Sequence, residues 1–216
     1  MDAHTKVKLC GITNVDDADR AVSLGAWAIG INLWPGSRRA VTLEQAAVIS
    51  ASVKRRAEAV GVFVNPTLDE LARAADAADL TMLQLHGDEG PVFCTEAARR
   101  TGCRVIKGAR IAARADVQAL VAFRTDFHLF DSYVPGVPGG TGETFAWELL
   151  AYHHGPVPVI LSGGLTAENV ADAIAAAHPY AVDVASGIEL PGDPRHKDPE
   201  RMAAFIDAVA ATHVAA

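Results

Sequence analysis

Residues 6–33 read KVKLCGITNVDDADRAVSLGAWAIGINL, and this stretch decides the fold. Its two ends, Lys6 to Cys10 and Trp27 to Leu33, are short, largely apolar runs and predict strands. Between them, Asn14 to Leu24 is rich in Ala and Asp, which predicts a helix stopped by Gly25. Strand, helix and strand in that order predict two parallel strands joined by a right-handed helical crossover.

The same unit repeats along the chain. Thr42 and Gln45 have capping-box spacing and open a helix to about Arg56. Ala59 to Val64 predicts the third strand. Thr67, with Glu70 three residues on, caps the next helix. Leu80 to Leu85, Arg104 to Ile111, Phe127 to Asp131, Val157 to Ser162 and Ala181 to Ala185 predict the remaining strands. Helices are predicted over Glu89 to Thr101, Ala112 to Phe123, Glu143 to His153, Thr166 to Ala177 and Pro199 to Ala211. Eight such units in 216 residues leave about 27 residues each, near the lower limit of a (β/α)8 barrel. The predicted fold is therefore α/β: a (β/α)8 TIM barrel, one domain over residues 1–216. The competing architecture, an open doubly wound sheet, wants a Gly-rich phosphate loop after its first strand. Cys10-Gly11-Ile12-Thr13 stands there instead.

Half of the residues are hydrophobic and 21% are charged, which suits a soluble globular protein with a sizeable core. The net charge of -7 argues against a nucleic-acid surface. Cys10, Cys94 and Cys103 form neither a disulfide framework nor a zinc-ligand spacing, which points to a reducing compartment. Asp2, Lys6 and Lys8 interrupt any N-terminal leader pattern. No apolar run approaches the roughly 18 residues of a membrane span. The expectation is a cytoplasmic protein, monomer or homodimer, with no nucleic-acid or membrane partner.

In such a barrel the chemistry lies where the strands end. The first strand delivers Cys10, the second leads to Arg38 and Arg39, and the fourth gives Gln84 and His86. The fifth passes Lys107 and Arg110, and the sixth ends in Asp131. The seventh and eighth end in Ser162-Gly163-Gly164 and Ala185-Ser186-Gly187. Two adjacent Gly/Ser turns before helices predict a phosphate site at Gly163, Gly164, Ser186 and Gly187. Cys10 and Asp131 form a candidate base and acid pair. Against that stand a packed, inert thiol and a turn carboxylate. Asp183, inside an apolar strand, needs a partner; spacing leaves a substrate contact and a structural role both open. His153, His154, His178, His196 and His213 have no ligand spacing and are expected at the surface, so no metal is implied. Ser132 to Gly142 and Leu190 to Lys197 are Pro/Gly-rich and are candidate active-site loops.

Several of these segments together identify a family. Lys8-Leu9-Cys10-Gly11-Ile12-Thr13 resembles the opening of the phosphoribosylanthranilate isomerases. Gly61-Val62-Phe63-Val64-Asn65 and Gln84-Leu85-His86-Gly87 resemble their third and fourth strands. Asp131 with Gly139-Gly140-Thr141-Gly142 and Phe145-Ala146-Trp147 resembles their sixth unit. Leu161 to Leu165 and Asp183 to Glu189 resemble the last two. The resemblance implies an Amadori rearrangement of N-(5′-phosphoribosyl)anthranilate in tryptophan biosynthesis, with no cofactor. It implies Asp131 as general acid, Cys10 as general base and Arg39 on the anthranilate carboxylate. It places Asp183 near the bridging amine and gives His86 a less defined place in the substrate site. The partner it implies is a small phosphorylated substrate. Two departures stand out. Ser37-Arg38-Arg39 lacks the family's proline, so either arginine could serve. The loop at 191–198 is longer than the family's. The competing readings are a related barrel enzyme on another phosphosugar and a non-catalytic phosphosugar binder: an epimerase would want a His/Asp metal site, a bifunctional histidine/tryptophan isomerase would put an aspartate where Cys10 stands, and the binder would not need Cys10 and Asp131.

Overall fold

The computed structural model describes residues 4–131 and 147–214. Eight parallel strands close into a barrel in sequence order: β1 (Lys6–Cys10), β2 (Ala28–Asn32), β3 (Glu58–Phe63), β4 (Met82–Leu85), β5 (Arg104–Arg110), β6 (Phe127–Asp131), β7 (Val159–Ser162) and β8 (Ala181–Val184), with β8 returning to β1. The closing register sets Lys8 beside Asp183. Among the described residues, six α-helices lie between strands: α1 (Val15–Ser23), α2 (Leu43–Val53), α3 (Leu68–Ala77), α4 (Pro91–Thr101), α5 (Arg114–Ala119) and α6 (Val170–Ala177). A longer one, α7 (Pro199–Val214), ends the described chain.

Helix starts follow the local chemistry. Asn14 accepts a hydrogen bond from the Asp17 amide ahead of α1. Thr42 with Gln45 and Thr67 with Glu70 form complete capping boxes before α2 and α3, which satisfies amides that the first turn leaves without helical partners. Helix α2 stops at Val53 rather than near Arg56, because Lys54 leaves the helical region and Arg55 turns left-handed at φ 63°. Helix α4 begins at Pro91 and not at Glu89, whose carboxylate is taken up elsewhere. The expected helix before Phe123 is a short α5 continued by a 3-10 turn at Leu120–Ala122. The segment expected as a helix up to His153 is a 3-10 turn at Glu148–Tyr152 where it is described. The Ser132 to Gly142 loop, the Gly139-Gly140-Thr141-Gly142 motif and the start of that segment lie outside the described residues.

The Leu190 to Lys197 segment is not an open loop. It forms an antiparallel hairpin, β9 (Glu189–Leu190) with β10 (Asp193–Lys197). The hairpin is pinned across the mouth of the barrel: Thr13 donates to the Arg195 carbonyl, Arg195 Nη1 donates to the Ala40 carbonyl at 2.8 Å, and the Lys197 amide donates to Asp17 at 3.1 Å.

Alternate residues along each strand face opposite sides of the wall. Leu9, Ile29, Ile31, Leu83, Phe130 and Val182 point outward and are buried against the helices. Inside, Ala28, Val60, Met82, Ile106, Phe127, Leu129, Ile160 and Ala181 fill the lower half of the barrel. Trp27 and Tyr180 close that floor: their rings meet edge-on at 5.6 Å, and both touch Phe127.

Candidate active site

Above the apolar floor, the same inward-facing positions turn polar. On β1, Lys8 and Cys10 are one pleat repeat apart and share the inner face. Lys8 is fully buried, and its Nζ lies 2.7 Å from Asp183 Oδ1 across the β1–β8 seam. Asp183 Oδ2 accepts from the Ser162 hydroxyl at 3.1 Å. The partner that Asp183 required is therefore Lys8, which the sequence reading passed over. Lys8 Nζ also lies beside the Cys10 sulfur on the inner face. Gly30 on β2 makes room for both groups: a Cβ there would come within 2.6 Å of Cys10 Sγ and 3.0 Å of Lys8 Nζ.

Burial pushes the Cys10 thiol up, and the Asp183 carboxylate pushes it the same way; Lys8 and Lys197 pull it down without cancelling the rise. Burial would pull Lys8 down, but the charge of Asp183, with that of Cys10 and the hydrogen bond to Asp183, outweighs it, and Lys8 is raised.

Asp131 ends β6 at the same level, half-buried, with His86 Nε2 at 3.5 Å from Oδ2. His86 Nδ1 meets the Gln84 amide nitrogen at 3.1 Å. An amide nitrogen only donates, so with this amide orientation the imidazole carries its proton on Nε2, facing Asp131. Gly108 on β5 leaves the space the imidazole fills, since a Cβ would lie 2.8 Å from its Nδ1. Gln84 Oε1 is buried without a partner in this inner layer.

The two arginines after β2 separate clearly. Arg38 is exposed. Arg39 lies with its stem against Gly11 and its Nε on the carboxylate of Glu189. Glu189 also receives buried Lys197, whose Nζ is 3.4 Å from Oε1 and donates to the Ala185 carbonyl at 3.0 Å. Burial pulls Lys197 down despite Glu189. Neither Glu189 nor Lys197 was singled out from sequence. Both were charged residues in a segment read as loop, and the hairpin is what turns them inward.

After β7, Gly163 and Gly164 both take positive φ, 97° and 64°, a run that side chains with a Cβ adopt only under strain. Ser186 and Gly187 lie in a 3-10 turn, Ser186–Ile188, and a Cβ on Gly187 would overlap the Leu165 carbonyl oxygen. The two loops expected to cradle a phosphate are thus packed directly on one another.

Two expectations need correction. Lys107 does not reach the mouth. It faces outward, buried, donating to the Gly87 carbonyl at 2.6 Å and pairing with Glu89 at 2.8 Å. Glu89 accepts in turn from the Asn65 and Gly87 amides at 2.7 and 2.9 Å, which ties together the loops after β3 and β4. His153 is not a free surface residue: its Nε2 meets Nδ1 of buried His128 at 3.0 Å. His154, His178 and His196 are exposed, and the side chain of His213 lies outside the described residues. Among the described residues no group of three or more His, Cys, Asp or Glu could hold a metal ion, and no helix is long and apolar enough to cross a membrane.

Comparison with known proteins gives one consistent answer. Residues 7–208 match the family model described as N-(5′-phosphoribosyl)anthranilate (PRA) isomerase. A curated relative from Pseudomonas syringae pv. tomato, named N-(5′-phosphoribosyl)anthranilate isomerase, is 47% identical over 207 residues, covering 95% of this chain and 97% of its own. The crystal structure of phosphoribosyl anthranilate isomerase from Thermotoga maritima superposes with a TM-score of 0.88 at 37% identity, over 96% of this chain and 99% of that one. A crystal structure of a phosphoribosyl anthranilate isomerase in complex with reduced 1-(o-carboxyphenylamino)-1-deoxyribulose 5-phosphate gives a TM-score of 0.83 at 34% identity, with the same coverage.

Proposed function

The chain belongs to the N-(5′-phosphoribosyl)anthranilate isomerase family, and from that premise we propose that Cys10 and Asp131 are the base and acid with which it rearranges N-(5′-phosphoribosyl)anthranilate. The observation that carries this assignment is that both residues end strands on the inner face of one barrel mouth, Cys10 on β1 and Asp131 on β6.

Asp131 gives a proton to the ribose ring oxygen. The ring opens and the nitrogen lone pair forms a Schiff base at C1′. The Cys10 thiolate then takes the C2′ proton, and the electrons of that bond move toward the nitrogen to leave an enolamine. Moving the 2′-hydroxyl proton to C1′ completes the ketone. The substrate nitrogen is the electron sink throughout. His86 faces Asp131 at 3.5 Å and bears on the orientation of the acid. Arg39, held at Nε by Glu189, keeps the two terminal nitrogens of its fork for a carboxylate. The backbone around Gly163, Gly164, Ser186 and Gly187 supplies the phosphate end.

The decisive assay follows anthranilate fluorescence as the purified protein meets freshly made phosphoribosylanthranilate. Wild type consumes the substrate. Cys10→Ser and Asp131→Asn each lose a factor of about 100 to 10,000, the span of general acid–base catalysis. A fully active Cys10→Ser variant overturns the base assignment, and an inert but folded wild type overturns the substrate.

A further inference from the structure

We infer that Lys8 is a positioning residue for the isomerase reaction, an ammonium shared between Asp183 and Cys10 that sets how readily the Cys10 thiol becomes a thiolate. The inference rests on the reading of Cys10 as a base for its meaning, and on geometry for its support.

Lys8 is fully buried on the inner face of β1, two residues before Cys10. Its three ammonium donors cannot go to water. One goes to Asp183 Oδ1 at 2.7 Å, and the ammonium lies beside the Cys10 sulfur on the same inner face. A Cβ on Gly30 would lie 2.6 Å from the sulfur and 3.0 Å from Nζ, so both groups crowd the space that this glycine leaves open on β2. A buried cation beside a thiol favours the thiolate, and a buried carboxylate beside it opposes the thiolate. Lys8 meets one of each, so the sulfur and the carboxylate compete for its charge. Among the described residues, the remaining charged group that acts on Cys10 is Lys197 on β10, which also meets Glu189 at 3.4 Å. Arg39 shares that Glu189 oxygen with Lys197. A purely structural lysine would hold the β1–β8 seam and leave the thiol alone.

The two roles separate in the thiolate absorbance of the ligand-free protein, titrated with pH against a Cys10→Ser control for each variant. Removing Lys8 alone strands a buried carboxylate, so the variants are Asp183→Asn and Lys8→Met/Asp183→Asn, neither of which leaves a buried negative charge without its cation. In Asp183→Asn the ammonium turns wholly to sulfur, and the Cys10 midpoint falls below wild type by about one pH unit or more. In the double variant the midpoint rises above that of Asp183→Asn by about the same amount or more. Equal midpoints in the two variants overturn the inference. Should the double variant not fold, Lys8→Gln/Asp183→Asn supplies the same contrast. An additional Lys8→Arg variant keeps the charge and holds its midpoint near that of wild type; a midpoint displaced as far as in the double variant also counts against the inference. Because no substrate is present, the titration stands or falls apart from the assignment of the reaction, which turnover by the wild type tests separately.

Discussion

The floor and the mouth of this barrel are built by the same strands, often by residues two apart, yet they obey opposite rules. On β6, Phe127 and Leu129 point inward and are buried among apolar neighbours, and Asp131 one step further faces the opening. On β8, Ala181 belongs to the floor and Asp183 to the charged layer. Two residues along a strand advance it only about 6 to 7 Å, and within that rise the interior changes from hydrocarbon to ion pairs. The floor gains from packing without polar atoms. The mouth holds Lys8 against Asp183 in a contact that only the closed ring supplies, with Ser162 of the neighbouring strand on the same carboxylate. The wall thus lets stability and chemistry be altered separately, one layer at a time.

That separation can be broken by experiment. The largest expected effect is at the top layer: Asp131→Asn lowers kcat/KM by about 100-fold or more while thermal melting stays near wild type, and a large drop in melting temperature would show that the mouth also holds the fold. Next comes the floor. Leu129 is fully buried, and Leu129→Ala costs about 2 to 5 kcal/mol of stability in denaturant unfolding, with kcat at low temperature kept. A smaller effect tests the outer face of the same strand. Burial pulls His128 down to about 4 from 6.5, and the neighbouring His153 pulls the same way. The folded state therefore refuses a proton that the unfolded chain accepts. Stability is full above pH 6.5 and falls as pH drops toward 4 by about 2 kcal/mol. His128→Leu flattens that part of the profile, and an unchanged acid profile would exclude His128 as its source. The smallest effect belongs to the rim below the floor. Lys54 and Asp79 pair at 2.6 Å, but both are well exposed, so Lys54→Ala moves the melting temperature by no more than about 2 °C.

The barrel itself was legible because parallel strands repeat one local pattern. Strand β1 runs over the predicted residues, and Thr42 and Thr67 cap the helices they were expected to cap. The candidate site was legible as strand ends, since each end is read from its own strand. What escaped depends on pairs far apart in the chain. Lys8 stands in mid-strand, where attention to strand ends passes over it. Its signal was available in retrospect: of the two lysines in the first strand, Lys8 is the one that lies level with the aspartate of the last strand when those strands close a ring. The β9–β10 hairpin escaped because Pro191, Gly192 and Pro194 read as loop, and its pairing with Thr13, Asp17 and Ala40 crosses most of the sequence. Glu89 was read as helix, yet Pro91 sets the start of α4 and the Lys107 ammonium takes the carboxylate. His128 and His153 met through tertiary packing that no spacing announces.

The ion pair between Lys8 and Asp183 joins residues 175 positions apart, and this bears on the order in which the protein is made. Contacts so distant along the chain carry the largest loop-closure cost and come late in folding. During synthesis β1 leaves the ribosome first and waits for β8, the last strand of the ring. Until then Lys8 has no carboxylate to meet, and Cys10 has neither its neighbouring cation fixed in place nor a closed wall around it. The chemical centre is therefore a product of the final docking event: a nascent chain that has made seven strands has most of its hydrophobic material in hand and none of its charged seam.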